Sequence, residues 1–355
     1  MYKQKTHKKM ISKEKKEVYN KKAYKVLFLN PDRGHTCSFY RSGGVVKDLR
    51  KKLGSDYTID VVSWPDMPTD WQTISNYDLV MMQRPYQGSM FDFAKRIKAM
   101  NIPLWLDYDD NLFTVAAENR AWPIFNDPTV QLTVKSFLQI ADVVSVTNED
   151  LKESYLPYNK NIVVIPNAFN DIIFNVDRKV EERENTILWR GSDTHIYDIM
   201  GYAPSISKAT EEHPEYEFTY VGYYPWFLAG SKNVNFIKPL EVIDYFNYVN
   251  NVKAKAVHVP LFDSNFNRCK SNIAFIEASY WGAISIIPEW WGNIPGTLSY
   301  NDQESYYEAL RKVLEDEVNV AEMNNLAWQY VKDNLLLSNI NKTRVELIHN
   351  ILKDV

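Results

Sequence analysis

Phe266 to Gly282, FNRCKSNIAFIEASYWG, gathers residues that could do chemistry. Asn267, Arg268, Lys270, Ser271 and Asn272 crowd the entrance of a segment in which Ile273, Ile276 and Tyr280 recur at helical spacing. A helix start offers unpaired N–H groups and the positive end of the helix dipole, a natural seat for phosphate, and Lys270 adds a full charge there. Glu277 follows further along the same segment, a carboxylate able to accept from a pair of sugar hydroxyls. An anion site and a hydroxyl-accepting carboxylate on one helix fit the two ends of a sugar nucleotide. The bland reading of the same residues is an amphipathic helix capped by Ser271.

Two other clusters carry chemistry. Arg190-Gly191-Ser192 with His195 combines a cation, a glycine that permits close backbone approach, and small hydroxyls, the parts of a phosphate cradle. Asp107, Asp109 and Asp110 follow the apolar run Leu104-Trp105-Leu106, so they sit at a strand end, where α/β sheets bind ligands. Three readings of these carboxylates stand side by side: a general base for an acceptor hydroxyl, oxygen ligands for a divalent cation, or a cap for the next turn. Trp290 and Trp291 could stack on a ring or pack in a core.

The elements that must position these groups alternate. Apolar strand patterns run over 24–30, 57–63, 77–84, 102–106, 142–148 and 162–168. Helical patterns fall between them at 38–49, 91–100 and 149–155. A mixed, charged linker covers 169–183, and the alternation then restarts. A strand from Thr186 feeds the Arg190–His195 loop. Helical character over 196–210 breaks near Gly201 to Pro204, and strands follow at 217–222, 234–237, 256–260 and 283–288. Helical patterns at 240–250, 305–316, 320–334 and 341–352 complete the second half. Repeated strand–helix alternation predicts two doubly wound α/β domains. Between Asn30 and the first helix lies a loop with Arg33, Gly34 and His35. No G-x-G-x-x-G fingerprint follows that strand, which weighs against a nicotinamide or flavin enzyme.

The pattern FN-x-x-KS-x-x-x-x-x-E-x-x-x-x-G, preceded by Val259-Pro260-Leu261, resembles the donor-site segment of GT-B fold nucleotide-sugar glycosyltransferases. The likeness is to the family 1/4 type, in a divergent, bacteriophage-like form. It implies two Rossmann-like domains facing a cleft, with a C-terminal helix crossing back to the first. It also implies that Lys270 holds the donor diphosphate, that Glu277 holds the ribose, and that Arg190, Gly191, Ser192 and His195 lie against the sugar-diphosphate. Asn267, Arg268 and Ser271 join the donor site, Tyr40 and Arg41 face the acceptor, and Asp107, Asp109 and Asp110 are the catalytic candidates. Many members carry two glutamates eight residues apart; Cys269 occupies the earlier position here.

The expected divisions are a basic arm at 1–22, an acceptor domain at 23–170, a donor domain at 171–335 and the closing helix at 336–355. The expected reaction moves a sugar from a nucleoside-diphosphate sugar, a UDP-sugar first, to an acceptor hydroxyl on a glycan or a hydroxymethylated DNA base. The alternatives are a nucleotide-sugar epimerase of the same fold and a non-catalytic nucleotide or nucleic-acid binder. No cofactor is required and no metal is expected.

Composition sets the remaining bounds. The chain has 355 residues, 45% hydrophobic and 24% charged, ordinary for a globular protein of two domains. Its net charge of −4 hides an asymmetry: residues 1–25 hold ten Lys and two Glu. Such an arm suits a polyanion, or is a solvated tail. Two cysteines, Cys37 and Cys269, suggest no disulfide framework and a reducing cytoplasm. Neither a membrane-spanning run nor a secretory signal is visible.

Overall fold

Uninterrupted apolar strands need cover on both faces, and the chain supplies it twice. The computed structural model describes residues 23–31, 36–178 and 180–353. The first sheet contains β1 (Tyr24–Asn30), β2 (Tyr57–Ser63), β3 (Leu79–Gln83), β4 (Leu104–Tyr108), β5 (Val143–Val146) and β6 (Ile162–Val164). Its spatial order is β2-β1-β3-β4-β5-β6, and every pairing is parallel. The second contains β7 (Glu184–Arg190), β8 (Glu217–Val221), β9 (Val234–Ile237), β10 (Ala254–His258), β11 (Ile284–Pro288) and β12 (Thr297–Tyr300). Its order is β12-β11-β10-β7-β8-β9, again wholly parallel. Strand order reverses between β1 and β3 and between β7 and β10, so a crevice forms beyond the carboxyl ends at each reversal. The interior strands β3, β4 and β11 are buried along their whole length.

The C-terminal helix Leu337–Lys353 packs on the first domain. Leu337, Ile348 and Leu352 share a buried cluster with Val46 and Leu49, and Asn341 Nδ2 donates to Val45 O (3.1 Å) and Asp48 Oδ2 (2.9 Å). Where the chain crosses back, Phe169 N donates to Leu335 O and Leu337 N to Phe169 O, each at 2.8 Å.

Three local features differ from the sequence reading. The helix expected over 38–49 is split into Thr36–Arg41 and Val46–Leu53 by a 3-10 turn, Gly43–Val45. Ser42 leaves the helix to reach Asn30 and Gln83 with its hydroxyl, and a Cβ on Gly44 would fall 2.1 Å from Phe39 O. A 13-residue helix, Pro128–Ile140, was not foreseen, because its β-branched residues mask the period. Its start was nevertheless written in the sequence: Asp127 accepts from Thr129 N and Val130 N ahead of proline at the first helical position. The short edge strand β12 was also missed. The arm at 1–22 and the residues Arg33, Gly34 and His35 lie outside the described residues.

Candidate functional site

A cleft of about 740 Å³ lies between the two sheets, at the carboxyl ends of their strands. Ten of the candidate donor, acceptor and catalytic residues line it. Tyr40, Asp109 and Asp110 come from the first domain; Arg190, Gly191, Ser192, His195, Lys270, Ser271 and Glu277 come from the second.

The second domain builds its wall around the helix Ile273–Trp281. A short helix, Asn265–Arg268, ends before it, and the chain breaks over 269–272. The N-cap is Asn272, not Ser271, and it makes no side-chain capping bond. Ser271 Oγ instead accepts from Asn167 Nδ2 (2.8 Å), and Asn148 Nδ2 donates to Lys270 O (3.1 Å). Side chains of the first domain thus hold the break open. The helix start faces the cleft through Ile273 and Ala274, with its leading N–H groups uncapped by a side chain. The helix is not amphipathic, since seven of its nine residues are buried.

Glu277 sits one turn further along that helix and is 3% exposed. Tyr40, from the first domain, donates to its Oε1; Tyr245 donates to Oε2 at 2.8 Å, and Arg190 Nη2 lies 2.8 Å from Oε2. Burial and the adjacent carboxylate push both tyrosine hydroxyls well above their usual range, so both stay protonated donors. Burial opposes the charge on Arg190, but Glu277 outweighs it and holds the guanidinium charged.

Across the cleft, Arg84 organises the carboxylates. It follows β3 with φ +47°, a left-handed conformation costing a non-glycine residue about 1–2 kcal/mol. From there its Nε donates to Asp109 Oδ1 (2.7 Å), and Nη2 reaches Asp110 Oδ2 (2.8 Å). Burial works against the ionised form of Asp109, yet Arg84 and, further off, Arg41 hold its carboxyl below the usual range. Asp110 also faces the other domain, with Lys270 Nζ 3.2 Å from its Oδ1. One ion pair therefore joins the cation of one domain to a carboxylate of the other.

The cradle after β7 is tightly packed. Ser192 caps the turn Asp193–His195 by accepting from Thr194 N, and His195 Nδ1 lies 3.1 Å from Asp198 Oδ2. Gly222 has φ +102°, and a Cβ there would fall 2.3 Å from Gly191 O, so glycine alone lets these two strand exits meet. Trp291 lines the cleft, whereas Trp290 lies under the Arg268 guanidinium at 5.7 Å.

Four candidates lie off the cleft wall. Arg41 and Asp107, each 1% exposed, form a two-pronged ion pair: Nε to Oδ1 at 2.9 Å and Nη2 to Oδ2 at 2.6 Å. Ser145 adds a donor to Asp107, and Arg41 Nη1 donates to Ile165 O (2.6 Å). That network ties β4 to β5 and to the chain beyond β6. Asn267 is buried against Asp198, and Arg268 pairs outward with Asp263. Conversely, sequence reasoning overlooked Arg84, Tyr245, Gly222 and His258 as cleft residues. Only Gly222, a glycine directly after a strand, carried a legible signal. Among the described residues, no group of three or more His, Cys, Asp or Glu stands close enough to share a metal ion. No helix among them is long and apolar enough to cross a membrane.

Two wholly parallel six-stranded sheets facing one cleft, with a last helix returning to the first domain, define the GT-B fold. No family model matches the sequence, and no curated protein matches it. Solved structures match over most of the chain. An α,α-trehalose 6-phosphate synthase from Burkholderia multivorans is 10% identical at TM-score 0.61, over 94% of this chain and 98% of that one. A putative UDP-N-acetylglucosamine 2-epimerase from Listeria monocytogenes is 16% identical at TM-score 0.54, over 87% and 91%. The pneumococcal O-GlcNAc transferase GtfA, in complex with UDP and GlcNAc, is 14% identical at TM-score 0.54, over 77% and 57%. At these identities the likeness is one of fold.

Proposed function

We propose that this chain is a glycosyltransferase that moves a sugar from a nucleoside-diphosphate sugar, UDP-linked, to an acceptor hydroxyl. One observation carries the reading. Lys270 and an uncapped helix start line the same cleft wall as Arg190, which pairs with the buried carboxylate Glu277 on that helix. That spacing fits a diphosphate at the helix start and a ribose at the carboxylate. The named activities of the fold's relatives, UDP-sugar enzymes among them, agree with it.

In this reading the acceptor oxygen attacks the anomeric carbon, and the bond from that carbon to the diphosphate oxygen breaks. Its electron pair goes to the leaving diphosphate, where Lys270, Arg190 and the helix N–H groups stabilise the growing charge. The acceptor's proton goes to Asp110 if the anomeric configuration inverts, or to the leaving phosphate if it is retained. Asp109, held ionised by Arg84, positions that arginine. The ion pair between Lys270 and Asp110 opens when the donor's phosphates take the lysine, which frees the carboxylate as the substrate arrives. The acceptor is a glycan or a hydroxymethylated DNA base; the lysine-rich arm behind the second choice lies outside the described residues.

The epimerase reading keeps a specific support: His195, Asp109 and Asp110 border one cleft, groups able to move a sugar's ring proton. Incubating the protein with UDP-glucose, UDP-galactose and UDP-N-acetylglucosamine in D2O separates the two. Release of UDP, faster with an acceptor present, supports transfer. Deuterium entering the sugar without UDP release supports epimerisation and overturns transfer.

A further inference from the structure

A second cavity, of about 420 Å³, opens beside the cleft and shares Thr194 with it. Both domains build it. Glu118 and Asn119 come from the segment after β4; Tyr197 and Asp198 come from the helix Ile196–Gly201; Phe262 and Asn267 come from the segment after β10. The domains meet at its rim, where Asn119 Nδ2 donates to Thr194 O at 3.1 Å.

Three features of its walls point to one chemistry. The first is aromatic. Phe262 is 42% exposed and Tyr197 45%, yet Phe262 is not free to move. A Cβ on Gly201 would fall 1.6 Å from its ring, so the ring rests on the glycine, with Tyr202 beside it at 5.6 Å. A fixed aromatic plane kept open to solvent is a stacking platform. The second is a carbonyl without a donor. Asn267 is 4% exposed, and its Nδ2 is committed to Asp198 Oδ1 (2.7 Å) and Phe262 O (3.0 Å). These bonds fix the amide's orientation, and its Oδ1 finds no donor among the described residues. The third is charge: the carboxylates on the wall are Glu118 and Asp198, and among the described residues neither lysine nor arginine lines it.

We propose that this cavity is a subsite for a neutral sugar unit of the acceptor. A pyranose has an apolar C–H face to lay on Phe262 and Tyr197, and hydroxyl donors to offer Asn267 and the carboxylates. A phosphate would meet two carboxylates and no cation, so a glycan fits this site and a nucleic-acid backbone does not. The assignment rests on the transferase reading for calling the ligand an acceptor.

The test is binding of maltose, cellobiose, lactose and N,N′-diacetylchitobiose to the full chain, by saturation-transfer NMR and calorimetry, with UDP present. At least one disaccharide binds the wild type. Phe262→Ala and Tyr197→Ala each weaken it tenfold or more. Trp226→Ala, another exposed aromatic outside the cavity, leaves it unchanged, and UDP affinity is the same in all. No disaccharide binding while UDP binds, or equal binding by Phe262→Ala, overturns the subsite. Self-association of the wild type lost in Phe262→Ala makes the patch a protein interface and overturns it too. Failure of UDP to bind the wild type overturns the donor reading instead, and the disaccharide arm still decides the cavity.

Discussion

Asp107 and Asp110 leave the same strand end three residues apart, and the protein treats them in opposite ways. Asp107 is 1% exposed and receives two bonds from Arg41 and one from Ser145. Its lone pairs are filled by the protein, leaving no path to a substrate proton. Asp110 lines the cleft, and its two oxygens face Arg84 Nη2 and Lys270 Nζ. A strand end offers both environments because β4 stops at Tyr108: Asp107 is held inside the sheet, while Asp110 lies in the bend beyond it. Residue type puts a carboxylate at the right edge of the sheet, while neighbours far away in sequence decide whether it builds the frame or meets the ligand.

The largest effect should come from the closed pair. Arg41→Ala leaves Asp107 buried without its partner and should cost about 3–5 kcal/mol of stability. Asp110→Ala should cost about 1 kcal/mol or less, as for partly exposed pairs. Urea unfolding compares the two directly, and equal losses would erase the distinction.

Activity should run the other way. Asp110→Asn should lower turnover about 10²- to 10⁴-fold if the carboxylate takes the acceptor's proton, with unfolding nearly unchanged. Unaltered turnover would move the proton to the leaving phosphate and leave Asp110 as the partner of Lys270.

His258 sharpens the comparison from the second domain. It borders the cleft yet is 2% exposed, and burial pushes its pKa down to about 3. Between that value and the ordinary range near 6.5 the unfolded chain binds a proton that the folded one refuses. Stability therefore falls as pH drops through this window, by about 2 kcal/mol at pH 5 relative to pH 8. Unfolding curves at the two pH values should show this in the wild type and lose that part in His258→Gln. An unchanged difference would place the acid sensitivity elsewhere.

Tyr40→Phe should give the smallest effect. It removes one of three partners of Glu277, at about 1 kcal/mol of stability. Because Tyr40 occupies an oxygen that a ribose hydroxyl would use, UDP affinity should hold or rise. A tenfold loss would make Tyr40 a ligand contact rather than a placeholder.

Much of the fold was legible. β1, β2 and β9 fall where their apolar runs begin and end, and the helix Glu149–Tyr155 matches its pattern. These signals are local. The helix Pro128–Ile140 was hidden by its β-branched residues, and the break at Ser42–Gly44 by a long-range bond to Gln83. The site was legible by type but not by orientation. Lys270, Arg190 and Glu277 meet the cleft, as their chemistry suggested. Arg268, two residues from Lys270, turns outward to Asp263, and Arg41, next to Tyr40, turns into the core. Arg84 carried no motif; its importance lies in a backbone angle that no residue pattern announces.

Titration of UDP into the wild type, Lys270→Ala and Glu277→Gln by calorimetry tests the central claim most directly. The account predicts that the wild type binds, that Lys270→Ala weakens binding tenfold or more through the diphosphate, and that Glu277→Gln weakens it through the ribose. UDP bound equally by all three proteins, or by none, would contradict it.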